Sequence, residues 1–275
     1  MLLRFEAMNA GAKFSEIADE VILLDIIEKP AEVDVQTSRL AGGPGMRVSS
    51  ATRTSLSVDL VYVIRTQDPI RRAELRQKVA RWACHASQLE VSTRPGKQLS
   101  AVAYIPPAQG SSLRWTDELV ITFTAYELPY WVDADLTSEI HSTDDFVLVG
   151  ANAITPSGAD VAIPVSCTVL PAEQGTLTDL EIGVGNTKFI LSGLEIINGM
   201  VEVDGGNEYR EDTLYIESAT GHDVTIRDNN GKSYLHTRTP QSSDALMAVQ
   251  GIRNVIYARA NIKCDVMFAW KEWWL

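Results

Sequence analysis

The sequence predicts a mainly β protein with one prominent α-helix: a β-rich N-terminal domain that carries the helix, followed by an antiparallel β-sandwich. Three observations lead there. Apolar residues alternate at a period of two along several segments. One segment, starting at Asp68, switches to spacings of three and four. Glycine, asparagine and aspartate cluster between short apolar runs throughout the second half.

Length and charge divide the chain. With 275 residues and 45% hydrophobic content it can bury a full core, and a domain takes roughly 100–200 residues. Residues 1–132 hold 15 Lys+Arg and 15 Asp+Glu, so from totals of 24 and 36 the remaining residues hold 9 bases and 21 acids and carry the whole net charge of −12. Such a step suggests two units, and an acidic half argues against phosphate binding. The polar run 133–145 is expected to be the linker, between a first domain over 1–132 and a second over 146–275.

In the first domain, residues 54–66 place Leu56, Val58, Leu60, Tyr62 and Ile64 on one face, a strand with one buried side. Further strands are expected over 21–27, 32–38, 100–105 and 119–126, with Gly42-Gly43-Pro44-Gly45 as a loop between two of them. Asp68 is an N-cap and Pro69 a first helical residue. Leu75, Val79, Trp82, Ala86 and Leu89 then form one apolar stripe, leaving Arg71, Arg72, Arg76, Lys78 and Arg81 on the other faces. These bases read either as a solvated face or, for Arg71, Arg72 and Arg76, as a subunit interface meeting acids such as Glu16, Asp19, Glu20, Asp25 and Glu28 of an adjacent copy. No aromatic residues interleave with them, which disfavours nucleic acid.

In the second domain Val161, Ile163, Val165, Cys167 and Val169 alternate along one strand, and 188–192 forms another. Asn198-Gly199, Asp204-Gly205-Gly206-Asn207 and Asp228-Asn229-Asn230-Gly231 read as turns, the last joining 224–227 to 232–235 in a hairpin. Ile262, Cys264, Val266, Phe268 and Trp270 alternate along the final strand. Trp273 and Trp274 fall beyond it, as a tail closing the sandwich, a subunit or partner contact, or a platform for a sugar ring.

The sequence carries no catalytic signature: no GxSxG, HExxH or GxxxxGK[ST] pattern. Gly183-Val184-Gly185 lacks the third glycine of a dinucleotide fingerprint. Cys84, Cys167 and Cys264 follow no metal or redox spacing and are expected to be buried thiols. The four histidines are scattered, so neither metal nor cofactor is expected. The acids admit a glycosidase, yet most sit beside glycine or asparagine in turns. The longest apolar runs fall short of the roughly 20 residues that span a bilayer, and the acidic N-terminus does not resemble a signal peptide. Assembly in the cytoplasm is the expectation.

A strand-rich first domain with a helix opening on Asp68-Pro69, closed by Phe123-Thr124-Ala125-Tyr126-Glu127-Leu128-Pro129-Tyr130-Trp131, resembles the belt domain of siphophage distal tail (Dit) proteins. The second domain is similar to that family's galectin-like sandwich, where a Gly- and Asn-bearing turn such as Gly251–Asn254 leads into a final pair of strands. Leu128 separates Glu127 from Pro129, where the family often joins acid and proline directly. The resemblance implies a non-enzymatic virion protein at the tail tip. It would form a homohexameric ring, docked to the tail tube protein on one side and to the tail-associated lysin or tip protein on the other, with DNA only in transit and no membrane contact. The competing readings are a lectin-like receptor module and a glycan hydrolase.

Overall fold

The computed structural model describes residues 5–39, 46–84, 88–106, 118–142, 153–159, 161–218 and 224–275. The chain divides into two compact units, Met1–Ala134 with Leu275, and Asp135–Trp274.

The first unit runs β1 (Ala7–Asn9), β2 (Ala12–Lys13), β3 (Val21–Glu28), β4 (Glu32–Arg39), β5 (Met46–Ile64), α1 (Pro69–Cys84), β6 (Leu89–Val91), β7 (Lys97–Leu99), β8 (Val102–Tyr104), β9 (Leu119–Ala125) and β10 (Trp131–Asp133). Its main sheet has the order β3-β5-β9-β8, with β4 paired to the free part of β5; a second sheet orders β2-β1-β6-β7-β10. The alternation read from the sequence is the buried face: Leu56, Val58, Leu60, Tyr62 and Ile64 of β5 and Leu119, Ile121, Phe123 and Ala125 of β9 are all buried. Helix α1 contributes Leu75, Val79 and Trp82 to the interior. The Trp82 ring packs edge-on to Phe14 at 5.0 Å and to Phe123 at 6.0 Å, and Phe14 packs edge-on to Tyr62 at 5.6 Å. Such pairs contribute beyond their buried area.

The Asp68 carboxylate accepts the Ile70 N–H at 2.9 Å, as an N-cap should. The far end differs from expectation. The helix is described to Cys84, and Leu89 is buried in β6 instead of on the helix stripe; Ala86 lies outside the described residues. The Asn9 amide donates to the Trp82 carbonyl at 2.7 Å, satisfying one of the orphan carbonyls of the last turn. Cys84, at that end, is exposed, whereas Cys167 and Cys264 are buried. The expected Gly42–Gly45 loop lies outside the described residues.

The second unit runs β11 (Thr137–Ser142), β12 (Ala153–Ile154), β13 (Ala162–Pro171), β14 (Gly175–Val184), β15 (Thr187–Val203), β16 (Gly206–Glu211), β17 (Leu214–Ser218), β18 (Val224–Asp228), β19 (Met247–Val249), β20 (Asn254–Ala260), β21 (Cys264–Trp270) and β22 (Trp273–Trp274). One sheet has the order β11-β21-β13-β17-β18, with β19 on β13, and the other β12-β20-β14-β15-β16. Ile163, Val165, Cys167 and Val169 of β13 and Val266, Phe268 and Trp270 of β21 share a single core with Leu180, Ile182, Phe189 and Leu191 of the other sheet. This is a sandwich in which each strand turns one side inward.

Three local expectations change. Part of the run read as a linker, Thr137–Ser142, is a strand paired to β21; residues 143–145 lie outside the described residues. Asn198-Gly199 is no turn but lies inside β15, because the Asn198 amide donates to the Pro171 and Glu173 carbonyls and Gly199 takes a φ of +129°. The turn after β18 forms, with the Asp228 carboxylate accepting the Asn230 and Lys232 N–H groups, but its second arm is a single bridge, Arg227 to Ser233, followed by a 3-10 turn at Leu235–Thr237. The Asp204-Gly205 turn forms as read, with φ of +45° and +83°, linking β15 to β16.

A Cβ on Gly183 would come within 2.1 Å of the Tyr257 ring, whose hydroxyl donates to Glu181 at 3.2 Å. Gly183→Ala is therefore expected to destabilise the second unit by about 1–3 kcal/mol, and the cost should shrink in a Tyr257→Ala background; denaturant melts of the four variants of that cycle measure it. Burial, opposed by Arg76 and Arg72, pushes the Tyr62 phenol up from 10.0 to about 12, and burial followed by the Glu181 charge does the same for Tyr257. A raised folded-state value means the neutral phenol is preferred in the fold, so this contribution is intact below pH 10 and is lost as pH rises through 12. Phenolate absorbance should show Tyr62 and Tyr257 ionising near pH 12, after the exposed tyrosines; ionisation of all tyrosines together near pH 10 in the folded protein would refute this.

Candidate functional site

The feature of the first unit that its own chain does not complete is the ribbon of β4 and the first half of β5. Antiparallel pairing sets Val33 opposite Arg53, Val35 opposite Ala51 and Thr37 opposite Val48, with a register shift between Gln36 and Thr37. Because side chains alternate across a strand, Val33, Val35, Met46, Val48 and Ala51 fall on one face, with Thr37 in their midst and Arg53 at the root. Asp34, Gln36, Ser38, Arg47, Ser50 and Thr52 fall on the other. The apolar face is open: Val33, Val35, Met46 and Val48 are 48%, 47%, 71% and 58% exposed. The bulge keeps both strands' apolar residues on the same side after an extra residue, Ser49, whose hydroxyl donates to the Gln36 carbonyl at 3.0 Å. The root is fixed, with Ser55 donating to the Glu32 carboxylate at 2.9 Å and the Arg53 guanidinium 5.3 Å from the centre of the Tyr130 ring.

The arginines expected at a subunit contact separate. Arg72 is not on a solvated face: it is 1% exposed and donates to the Ile64 carbonyl at 2.6 Å, tying the helix to the end of β5. Its position is three before Leu75 and seven before Val79, which is on the apolar stripe; the spacing was readable, and the charge concealed it. Arg71 already meets the acidic segment of its own chain, at 3.2 Å from Glu20 and 3.4 Å from Glu74. A backbone hydrogen bond, then Arg71, holds the Glu20 carboxyl below the usual range. Arg76 is half-buried near Tyr62.

In the second unit, Trp273 packs against the sandwich core, its carbonyl accepting from the Gln250 amide at 3.1 Å, while Trp274 is half-buried. An open groove of 460 Å³ lies over β14, β15 and β20, lined by Asp179, Glu181, Ser192, Arg259 and Asn261 among others. Its polar groups largely serve the fold: Asp179 accepts from Ser192 at 2.7 Å, Glu181 from Tyr257 at 3.2 Å, and Asn261 accepts from the Thr178 and Asp179 N–H groups. Gly183 and Val184 are in β14 and Gly185 in the turn that follows, so no phosphate loop forms there. Among the described residues, no three His, Cys, Asp or Glu side chains are grouped to hold a metal ion.

No protein-family model matches the chain, and no curated protein matches it. Among solved structures it is similar to the SPP1 Dit protein, described as a paradigm of hub adsorption apparatus in phages infecting Gram-positive hosts. The identity is 9%, the match covers 97% of this chain and 98% of that one, and the TM-score is 0.67. A chain of the phage P2 baseplate in its activated conformation is similar at 8% identity and a TM-score of 0.49, over 99% of this chain and 98% of that one. The SPP1 match shows a shared fold along nearly the whole length of both chains.

The buried guanidinium gives a direct test of the corrected assignment. Arg72→Met removes the charged donor to the Ile64 carbonyl, which keeps the Thr66 N–H at 3.1 Å, and should destabilise the first unit by about 1–3 kcal/mol, whereas Arg71→Ala, at a partly exposed ion pair, should shift the denaturation midpoint little. Equal effects of the two changes would return Arg72 to the surface.

Proposed function

We propose that this chain is a distal tail hub protein of a siphophage, a structural component of the virion and not an enzyme. Its first unit closes with copies of itself into a hexameric ring between the tail tube and the tail-tip proteins, and DNA passes through the channel. The shared fold with the SPP1 hub protein supports the tail role. The observation that carries the assembly is the ribbon, whose valines and methionine face water on one side only. Six-fold closure supplies each ribbon with a neighbour through the same heterologous contact repeated around an axis. Charge favours the same unit, since residues 1–132 balance 15 bases against 15 acids and do not repel their own kind. Arg71 and Arg76 then have a secondary place at the rim of that contact, where exposed ion pairs contribute little. Trp274 is assigned to the tip-facing partner.

Native mass spectrometry and electron micrographs of the purified chain should show a hexamer or a dimer or trimer leading to it. A Val33→Asp, Val48→Asp variant should keep its circular dichroism spectrum and remain monomeric, since both positions are open in the single chain. A wild-type monomer at high concentration with no rings, or rings that persist in the double variant, would sink the proposal. Because the contact is apolar, moderate salt should not dissolve the ring.

A further inference from the structure

A second two-stranded extension stands in the second unit, and its chemistry differs from that of the first. Strand β15 outlasts its sheet: β14 pairs with it only as far as Gly175 opposite Asn198, and beyond that point β16 is its one neighbour, from Asn198 opposite Glu211 to Val203 opposite Gly206. Strand β16 ends the sheet order. Met200 lies directly opposite Tyr209, and the two are 60% and 55% exposed. The Tyr209 hydroxyl donates to Asn198 at 2.8 Å, which holds the ring against the strand. By the register Glu202 and Glu211 share the face of this pair, Glu208 lies on the opposite face and Asp204 in the turn, against a single base, Arg210, that Asp212 already holds at 2.6 Å.

We infer that the extension Asn198–Glu211 is a docking finger for a basic, extended segment of a different protein, which adds beside β16 and covers the Met200–Tyr209 pair. A methionine and a tyrosine side by side are the residues that interfaces favour, and an end strand offers its backbone to an added one. Acids on such an edge are the usual guard against pairing between copies. Here they also select the partner. Residues 133–275 carry 9 bases and 21 acids, and the densest run of bases in residues 1–132, Arg71–Arg81, lies on helix α1, which has no strand edge to add beside β16, so a second copy does not offer that run as an extended segment. The acids repel nucleic acid and anionic lipid. What remains is a segment that alternates along its length, its apolar residues meeting Met200 and Tyr209 on one face and its lysines or arginines meeting Glu208 on the other, a combination of attraction and exclusion that gives specificity.

The test uses the full chain and a defined probe, a short blocked peptide of alternating lysine and valine, with the alternating glutamate and valine peptide as control. Calorimetry should show saturable binding of the lysine peptide alone, weakening as salt rises. Hydrogen exchange should show new protection at residues 206–211. The Met200→Ser, Tyr209→Ser variant, which keeps every charge, and the Glu202→Lys, Glu208→Lys variant should each lose about tenfold or more in affinity. Both alter exposed positions, and unchanged melting confirms their fold. Equal binding to both variants, or protection spread elsewhere on the acidic unit, would mean that the peptide only condenses on negative charge and would overturn the inference, as would no binding at all. Ring assembly should be the same in both finger variants, so the result is independent of the hub proposal.

Discussion

A two-stranded antiparallel ribbon has two faces and can cover neither by itself, and isolated ribbons are marginal in water. The first unit is built around a strand that meets this constraint halfway. Strand β5 is 19 residues long, and its burial changes from exposed to buried along its length. Its second half lies between β3 and β9; its first half has β4 alone. Because the buried half is fixed by the helix and by β9, the exposed half is held as a continuation of a core strand. The ribbon is therefore stable enough to persist uncovered and apolar enough to need covering. The Ser55–Glu32 hydrogen bond and the Arg53–Tyr130 stacking sit where the two halves meet.

The helix that secures the buried half is itself held by polar groups at both ends. Asp68 caps its start and Asn9 takes up a carbonyl at its finish, while Arg72 reaches from its first turn to the last carbonyl of β5. A buried guanidinium is tolerated only where its donors are met. Its place here is between helix and sheet, and this removes it from any surface role. Arg71, one residue earlier, is turned to the Glu20 side, so two adjacent arginines have opposite duties.

The second unit repeats the device of a strand that overruns its sheet, in β15, with the opposite electrostatics. Where the first overrun lies in a neutral half and shows mostly aliphatic side chains on one face, the second places a methionine and tyrosine among carboxylates. Neutral and apolar surfaces permit self-association; acidic ones discourage it and admit a basic partner. The polar groove over β14, β15 and β20 follows another logic, since most of its acceptors are engaged in holding neighbouring strands, as Asp179 with Ser192 and Glu181 with Tyr257.

Period-two alternation determined by itself which sides of β5, β9, β13 and β21 turn inward, because a strand with one wet face can bury only every second residue. The Asp68-Pro69 start and the Asp204-Gly205 turn were also local matters, fixed by capping and by positive φ. What lay outside the sequence was everything set by residues far along the chain. The apolar spacing of the helix continues to Leu89, yet Leu89 belongs to β6, where it lies opposite Asn9 of β1 at the far end of the unit's sequence. Asn198-Gly199 spells a turn, yet it stays within β15 because the Pro171 and Glu173 carbonyls engage the asparagine. Arg72 could have been placed by its spacing, but acceptors such as the Ile64 carbonyl, which make its burial tolerable, come from the fold. Above all, alternation says that one face of a strand is apolar and never whether the chain itself covers it. For Val33, Val35, Met46 and Val48 the tertiary structure decides that, among the described residues, it leaves them about half or more exposed.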